Sequence, residues 1–229
     1  MAAMARRGDA LRDHILQAAK QVFLEEGFER ASMDEVARRA NTSKRSLYAH
    51  FESKEKLFLA VIELVRELFL GRLKEPAAYS TSPVEALTLF CARYLESMLY
   101  EASIRLVRIT LAETGRFPEG AAQHYDVMFT EVMTRLASYL KTAFGSSARA
   151  SSDAAERLLG QILFPKLPRA LFGLGELVEG FDERALSPQI DLRWVRRTVH
   201  DVVESLSESG AKRVPPRPAA VKATRRARG

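Results

Sequence analysis

Residues 43–46, Ser-Lys-Arg-Ser, set a helix-capping hydroxyl beside two adjacent cations. Ser43 can accept a hydrogen bond from a backbone N–H just ahead of it and so start a helix. Lys44 and Arg45 then fall on the first turn, where long side chains reach outward. Either can donate to O6 and N7 of guanine in a major groove. Ser43, Ser46, Tyr48 and His50 are types that bond phosphate and sugar, which positions a helix without reading bases. Ser32 and Thr42, at the neighbouring helix start and turn, join this DNA-contacting set. Lys54 begins the next helix, where its ammonium and the helix N-terminus together suit a phosphate. Taken singly, each of these residues also reads as a solvated polar side chain.

The elements that would hold them are legible. Ser32-x-x-Glu35 is a capping box, expected to satisfy two orphan backbone N–H groups. Met33, Val36, Ala37 and Ala40 follow at helical spacing. The turn is Ala40-Asn41-Thr42-Ser43, and Asn41 tolerates a left-handed backbone. Leu47 and Phe51 point together toward a core. Two short helices joined by a tight turn, with a third helix from Lys54, make a helix-turn-helix unit.

Residues 9 to about 61 resemble the DNA-binding domain of the TetR family of bacterial transcription factors. The matching runs are Glu26-Gly27-Phe28, Ser32-Met33-Asp34-Glu35-Val36-Ala37, Ser43-Lys44-Arg45-Ser46-Leu47-Tyr48-Ala49-His50-Phe51 and Ser53-Lys54-Glu55-Lys56-Leu57-Phe58. The family pattern usually has glycine where this chain has Asn41, a harmless exchange. It often has glycine or another small residue where this chain has Arg45, which here adds a possible base reader. The loop 114–120 is similar to one common among AcrR-like members. The resemblance implies an all-α protein with an N-terminal three-helix DNA-binding domain and a C-terminal helical ligand-binding and dimerisation domain. It further implies a homodimer formed by the last two long helices, at about 152–175 and 191–206. Specific affinity then comes from a palindromic operator read as two half-sites.

The charge balance of +6 is misleading. Seven basic residues and no acid lie in 211–229, and removing these seven from +6 leaves −1 for residues 1–210. The segment to Lys56 carries 11 basic and 9 acidic residues, so its basic character lies in placement. Cys91 is the sole cysteine, which excludes an internal disulfide and suits a reducing cytoplasm. It shares an apolar stripe with Leu87, Phe90, Tyr94 and Leu95, so packing is its expected role. No apolar run approaches the ~18 residues that span a bilayer, and no signal core follows Arg6 and Arg7. A cytoplasmic protein with no membrane partner is expected.

The rest of the chain reads as helix. Asp9 should cap a helix ending at Gly27, with Leu11, Ile15, Ala18 and Val22 buried. From Lys54 a long helix should fade near Pro76. Further helices are expected from Pro83, over 103–113, through Tyr125 to Leu136, after Ser152, and over 191–206, with Pro165 and Pro168 breaking the one after Ser152. The domains expected are a flexible arm over 1–8, the helix-turn-helix unit over 9–60, the effector and dimerisation domain over 61–208, and a basic disordered tail over 209–229.

Bulky residues in the second domain are candidates to line an effector pocket: Phe90, Tyr94, Arg105, Phe117, Tyr125, Phe129 and Phe164, with Met128 beside them. The same residues are what a helical core uses. Arg105 suits an anionic ligand group or an outer solvated face. His14, His124 and His200 lack a partner set at metal-ligand spacing, so no metal and no cofactor are expected. No nucleophile–base pair or phosphate loop is present, so an enzyme is not expected. The function implied is a repressor released from its operator by a small hydrophobic effector. The alternative is an architectural or cell-cycle DNA-binding protein of the same fold, which the basic tail would serve through salt-dependent affinity.

Overall fold

The structure is a computed structural model describing the backbone of residues 2–211 and the side chains of residues 8–206. Most of the basic tail therefore lies outside the described residues. Among those described, the chain folds as helices joined mostly by short turns; the exception is the irregular segment 172–191, whose Val178 makes one isolated backbone bridge with Tyr100.

Helix α1 (Ala2–Arg30) begins ahead of the Asp9 cap. The segment expected as an arm is helical backbone, as Ala-Ala-Met-Ala-Arg-Arg favours. Gly27 kinks α1 with φ +76°, a left-handed backbone that glycine adopts freely. Helices α2 (Met33–Arg39) and α3 (Lys44–His50) follow. Asn41, with φ 44°, carries the turn between them. Thr42 N–H bonds Ala37 O at 3.0 Å across that turn, using a carbonyl the end of α2 would otherwise leave free.

Helix α4 (Lys54–Arg72) joins two cores. Its first half, with Leu57, Phe58, Val61 and Ile62, packs with Ile15, Val22, Phe23 and Leu47. Its second half, with Phe69 and then Leu73, belongs to the larger C-terminal core. The two units thus meet within a continuous helix, and Val61 and Ile62 pack with the first.

The second unit comprises α5 (Pro83–Leu99), α6 (Glu101–Ala112), α7 (Pro118–Tyr125), α8 (Glu131–Phe144), α9 (Ala148–Leu163), α10 (Lys166–Leu171) and α11 (Leu192–Ala211). The helix expected through Tyr125 is broken: a π turn, Asp126–Thr130, joins α7 to α8. The Tyr94 hydroxyl, fully buried, donates to Met128 O at 2.8 Å inside that turn. The helix expected over 152–175 splits into α9 and α10 at Pro165. Pro168 then falls in the first turn of α10, where its missing N–H has no intrahelical acceptor to lose. Arg108 of α6 caps that short helix by donating to Ala170 O and Leu171 O. Val195, Val199, Val202 and Leu206 of α11 are buried in this core, so that stripe packs within its own chain on α5 and α9.

Candidate nucleic-acid interface

The three caps form at the serines. Ser32 Oγ accepts from Glu35 N–H at 3.1 Å, and Ser43 Oγ from Ser46 N–H at 3.1 Å. Ser53 Oγ accepts from Lys56 N–H at 3.2 Å and starts α4 in the same way. Only half of the expected capping box forms at α2. The Glu35 carboxylate turns instead to Arg38 and Arg39, with contacts of 2.6–2.8 Å. Those guanidinium bonds pull its pKa down to about 2. A planar fork bonded to a carboxylate outcompetes a single backbone N–H. Arg39 also reaches Glu25 at 2.6 Å, so α1 and α2 are tied together on the outer face.

Helix α3 is anchored by Leu47, fully buried, and by Phe51 just beyond its end. The opposite side is open. Ser43, Lys44, Arg45 and Tyr48 are exposed, and Thr42, Ser46 and His50 are half-buried beside them. Lys44 reaches back to Asp34 of α2, Nζ to Oδ2 2.7 Å, through an exposed pair. Such pairs contribute at most ~1 kcal/mol and open readily to a competing phosphate or base. Arg45 makes no hydrogen bond or ion pair with any described residue. The fold thus brings the expected α3 residues to one surface, with a cation free at its centre.

Lys54 departs from expectation. Its ammonium donates to Phe28 O at 2.9 Å, Ala31 O at 3.1 Å and Glu29 O at 3.2 Å, and lies 4.5 Å from the Phe28 ring centre. All three protons are engaged, so Lys54 ties α4 to the end of α1 and is not free for phosphate. The kink at Gly27 causes this by turning those carbonyls toward the start of α4. Ser32 likewise uses its hydroxyl as a cap.

The residues expected to line an effector pocket do not converge. Phe90 and Tyr94 are fully buried core residues. Phe117 belongs to the first unit: its ring lies 5.0 Å from that of Phe28 and 5.4 Å from that of Phe58. Arg105 is exposed and pairs with Glu101 at 2.6 Å, so it occupies the outer face of α6. Tyr125 is 61% exposed and packs its ring on half-buried Phe129. Met128 is buried in the core, and Phe164 is 69% exposed at the end of α9. Aromatic character marks the wish to be buried but not the partner, which tertiary packing decides.

Several groups are not legible in the sequence. Arg93 and Glu96 form a buried pair at 2.6 Å on an otherwise apolar helix. Arg116 bonds Glu29 at 2.6 Å, joining the loop before α7 to α1. His200 does gather two carboxylates, Asp201 and Glu204, with ligand atoms within 4.8 Å of one another, contrary to expectation. All three are exposed on α11. His124 is buried with Nδ1 3.0 Å from Thr110 Oγ1, and burial lowers its pKa to about 4. Among the described residues no helix is long and apolar enough to cross a membrane.

Two family models match the chain. Residues 15–61 match the bacterial regulatory proteins of the tetR family, and residues 85–175 match the C-terminal domain of AefR-like transcriptional repressors. The chain belongs to the TetR family of transcriptional regulators. Among curated TetR relatives, the transcriptional activator FasR of Mycolicibacterium smegmatis is 48% identical over 63 residues, 25% of this chain and 29% of that protein. The transcriptional repressor NicS of Pseudomonas putida is 40% identical over 65 residues, 28% of this chain and 31% of that protein. The matched segments therefore span less than a third of these relatives' length. Such relatives are transcriptional regulators and not enzymes. Among solved structures, the flavonoid-responsive regulator FrrA is 29% identical, covers 88% of this chain and 97% of its own, and has a TM-score of 0.64. A TetR-family protein from Mesorhizobium loti has a TM-score of 0.69 at 23% identity, covering 89% of this chain and 98% of its own, which shows the shared fold.

Proposed function

We propose that this TetR-family protein is a sequence-specific regulator that binds a palindromic operator as a homodimer and leaves it when a small effector binds. The observation that carries the DNA-binding part is α3: a capped helix anchored by Leu47, with Lys44, Arg45 and Tyr48 on its open side. Lys44 and Arg45 read bases, while Thr42, Ser43, Ser46, Tyr48 and His50 contact the backbone. The units divide as a DNA-binding part over 9–60, onto which Val61 and Ile62 also pack, and an effector and dimerisation part over the rest of 61–208, in the cytoplasm.

Dimerisation is supported by Phe164, Phe172 and Leu174, which are 69%, 82% and 65% exposed where α9 and α10 end. Large apolar groups left in water suit a partner surface. Effector response is supported by the likeness to FrrA, a flavonoid-responsive regulator. The sign of regulation follows the AefR-like match toward repression, although the FasR relative is an activator.

Selection of bound duplexes from a random library by the full chain, at physiological salt, tests this reading. Enrichment of a palindrome is the expected result. Binding without enrichment that vanishes as salt rises favours the architectural reading, which the seven basic residues of 211–229 support.

A further inference from the structure

A cleft of about 310 Å³ lies between the end of α4, the turn before α5, α5 itself and the segment 183–186. Four cations line it, Arg72, Lys74, Arg93 and Arg184, against one acid, Glu183. Tyr79, Leu89 and Leu186 supply an apolar wall. The volume is at the lower end of small-molecule pockets, roughly 300–1,000 Å³.

The cations have different duties. Arg93 is buried and engaged: it bonds Glu96 at 2.6 Å, Asp182 O at 2.8 Å and Glu183 O at 3.4 Å. Glu96 in turn accepts from Ser187 N–H at 2.6 Å. Together they fix the segment that carries Arg184 and Leu186. Arg72 lies against two rings, its guanidinium carbon 4.5 Å from the Phe181 ring centre and 5.1 Å from that of Tyr100. Contact of this kind orients a guanidinium while leaving its edge N–H groups unused. No described residue gives a hydrogen bond or an ion pair to the side chains of Arg72, Lys74 or Arg184.

This positive charge also reaches the DNA-binding unit. Lys20 of α1 is half-buried, and burial followed by the Arg72 charge lowers its pKa. The Arg72 charge on α4 is thus felt by Lys20 on α1.

We propose that this cleft binds a small organic acid, with its anionic head on Arg72 and Arg184 and its apolar body against Tyr79, Leu89 and Leu186. Lys74 closes the rim. An anion here offsets the repulsion between Arg72 and Lys20, at the end of the helix that runs from the effector part into the DNA-binding core. The link to DNA release rests on the regulator reading above; the binding site itself does not.

Calorimetric titration of the full chain with benzoate, inorganic phosphate and the neutral benzyl alcohol tests it. The expected result is that benzoate binds and benzyl alcohol does not. Arg184→Gln and Arg72→Gln should each weaken benzoate by roughly ten-fold or more, as loss of a charged hydrogen-bonding partner does. Arg105→Gln, on the outer face of α6, should leave it unchanged. Arg72→Gln also removes two ring contacts, so Arg184→Gln, exposed and unpaired, keeps the test decisive if the first variant misfolds. Phosphate binding without benzoate binding would overturn the organic-acid assignment, because the apolar wall would then contribute nothing. No binding by either anion at millimolar concentration, equal binding of benzyl alcohol, or unchanged affinity in Arg184→Gln overturns the proposal. Mobility of a selected duplex without any probe reads the regulator separately, so a bound duplex with no anion binding rejects only the cleft.

Discussion

Phe117 lies edge-on to Phe28, with ring centres 5.0 Å apart and planes at 78°. One residue comes from the loop before α7 and the other from the end of α1. The loop of the effector part thus places a wedge in the core of the DNA-binding part. Arg116 reinforces it, 5.1 Å from the Phe28 ring centre on its way to Glu29. Gly120 brings α7 onto α4 as well: a Cβ there would meet Leu59 Cδ2 at 2.9 Å and Ile62 Cδ1 at 3.3 Å. Movement of α6 or α7 therefore reaches α1 and α4 through direct packing.

Phe117→Ala should cost about 3–5 kcal/mol, the usual range for removing a buried phenyl ring. Urea denaturation measures that loss. In the fraction still folded, operator affinity should become less sensitive to effector, because the wedge that transmits its movement is gone. Wild-type stability in this variant would mean that the ring contributes no packing to that core.

Lys54→Ala should destabilise the DNA-binding unit by about 2–3 kcal/mol, since three carbonyls lose a charged donor. Thermal unfolding reads this directly. The salt dependence of duplex binding should stay as in the wild type, because each lysine that contacts a phosphate adds to that slope. A shallower slope at unchanged stability would restore Lys54 to the phosphate contacts.

The contrast between these residues and α3 explains what was legible in the sequence. Asn41 at the turn and the capping serines are local devices, and their residue types state their backbone duty. Leu47 and Phe51 follow from helical spacing alone. Lys54 does not, because its acceptors lie up to 26 residues away and come into reach only through the kink at Gly27. Arg93 and Glu96 stand three residues apart on α5, and only the contacts with the segment 182–187 make them a buried structural pair. The π turn at 126–130 carries the Met128 carbonyl that accepts from Tyr94 of α5, a contact with no local signature. Effector residues were not legible for the same reason: bulky side chains announce burial, and the fold assigned Phe90, Tyr94 and Phe117 to packing.

Stability should fall with acid through His124. Burial holds its pKa at about 4, against 6.5 as the ordinary value, so the ring is neutral in the folded chain. The unfolded chain takes up a proton near pH 6.5 and the folded chain only near pH 4. The contribution is therefore complete above pH 6.5 and disappears as pH falls to about 4. Its size is on the order of 3 kcal/mol. Urea midpoints measured across that window should drop less in His124→Asn than in the wild type. An identical drop in both would assign the acid sensitivity to other groups.

Arg45 and Tyr48 should separate base reading from positioning. Arg45 stands exposed without a partner among the described residues, so all of its donors are available to a guanine. Arg45→Ala should reduce discrimination at one base position of each half-site by about 1–3 kcal/mol. Lys44→Ala should act in the same way at a neighbouring position, after allowing for the weak pair with Asp34. Tyr48→Phe removes only a hydroxyl and should lower affinity for all duplexes alike, as loss of a phosphate contact does. Competition binding against a panel of singly substituted operators distinguishes these outcomes. A uniform loss from Arg45→Ala would move it to the backbone contacts and leave Lys44 as the reader on this helix.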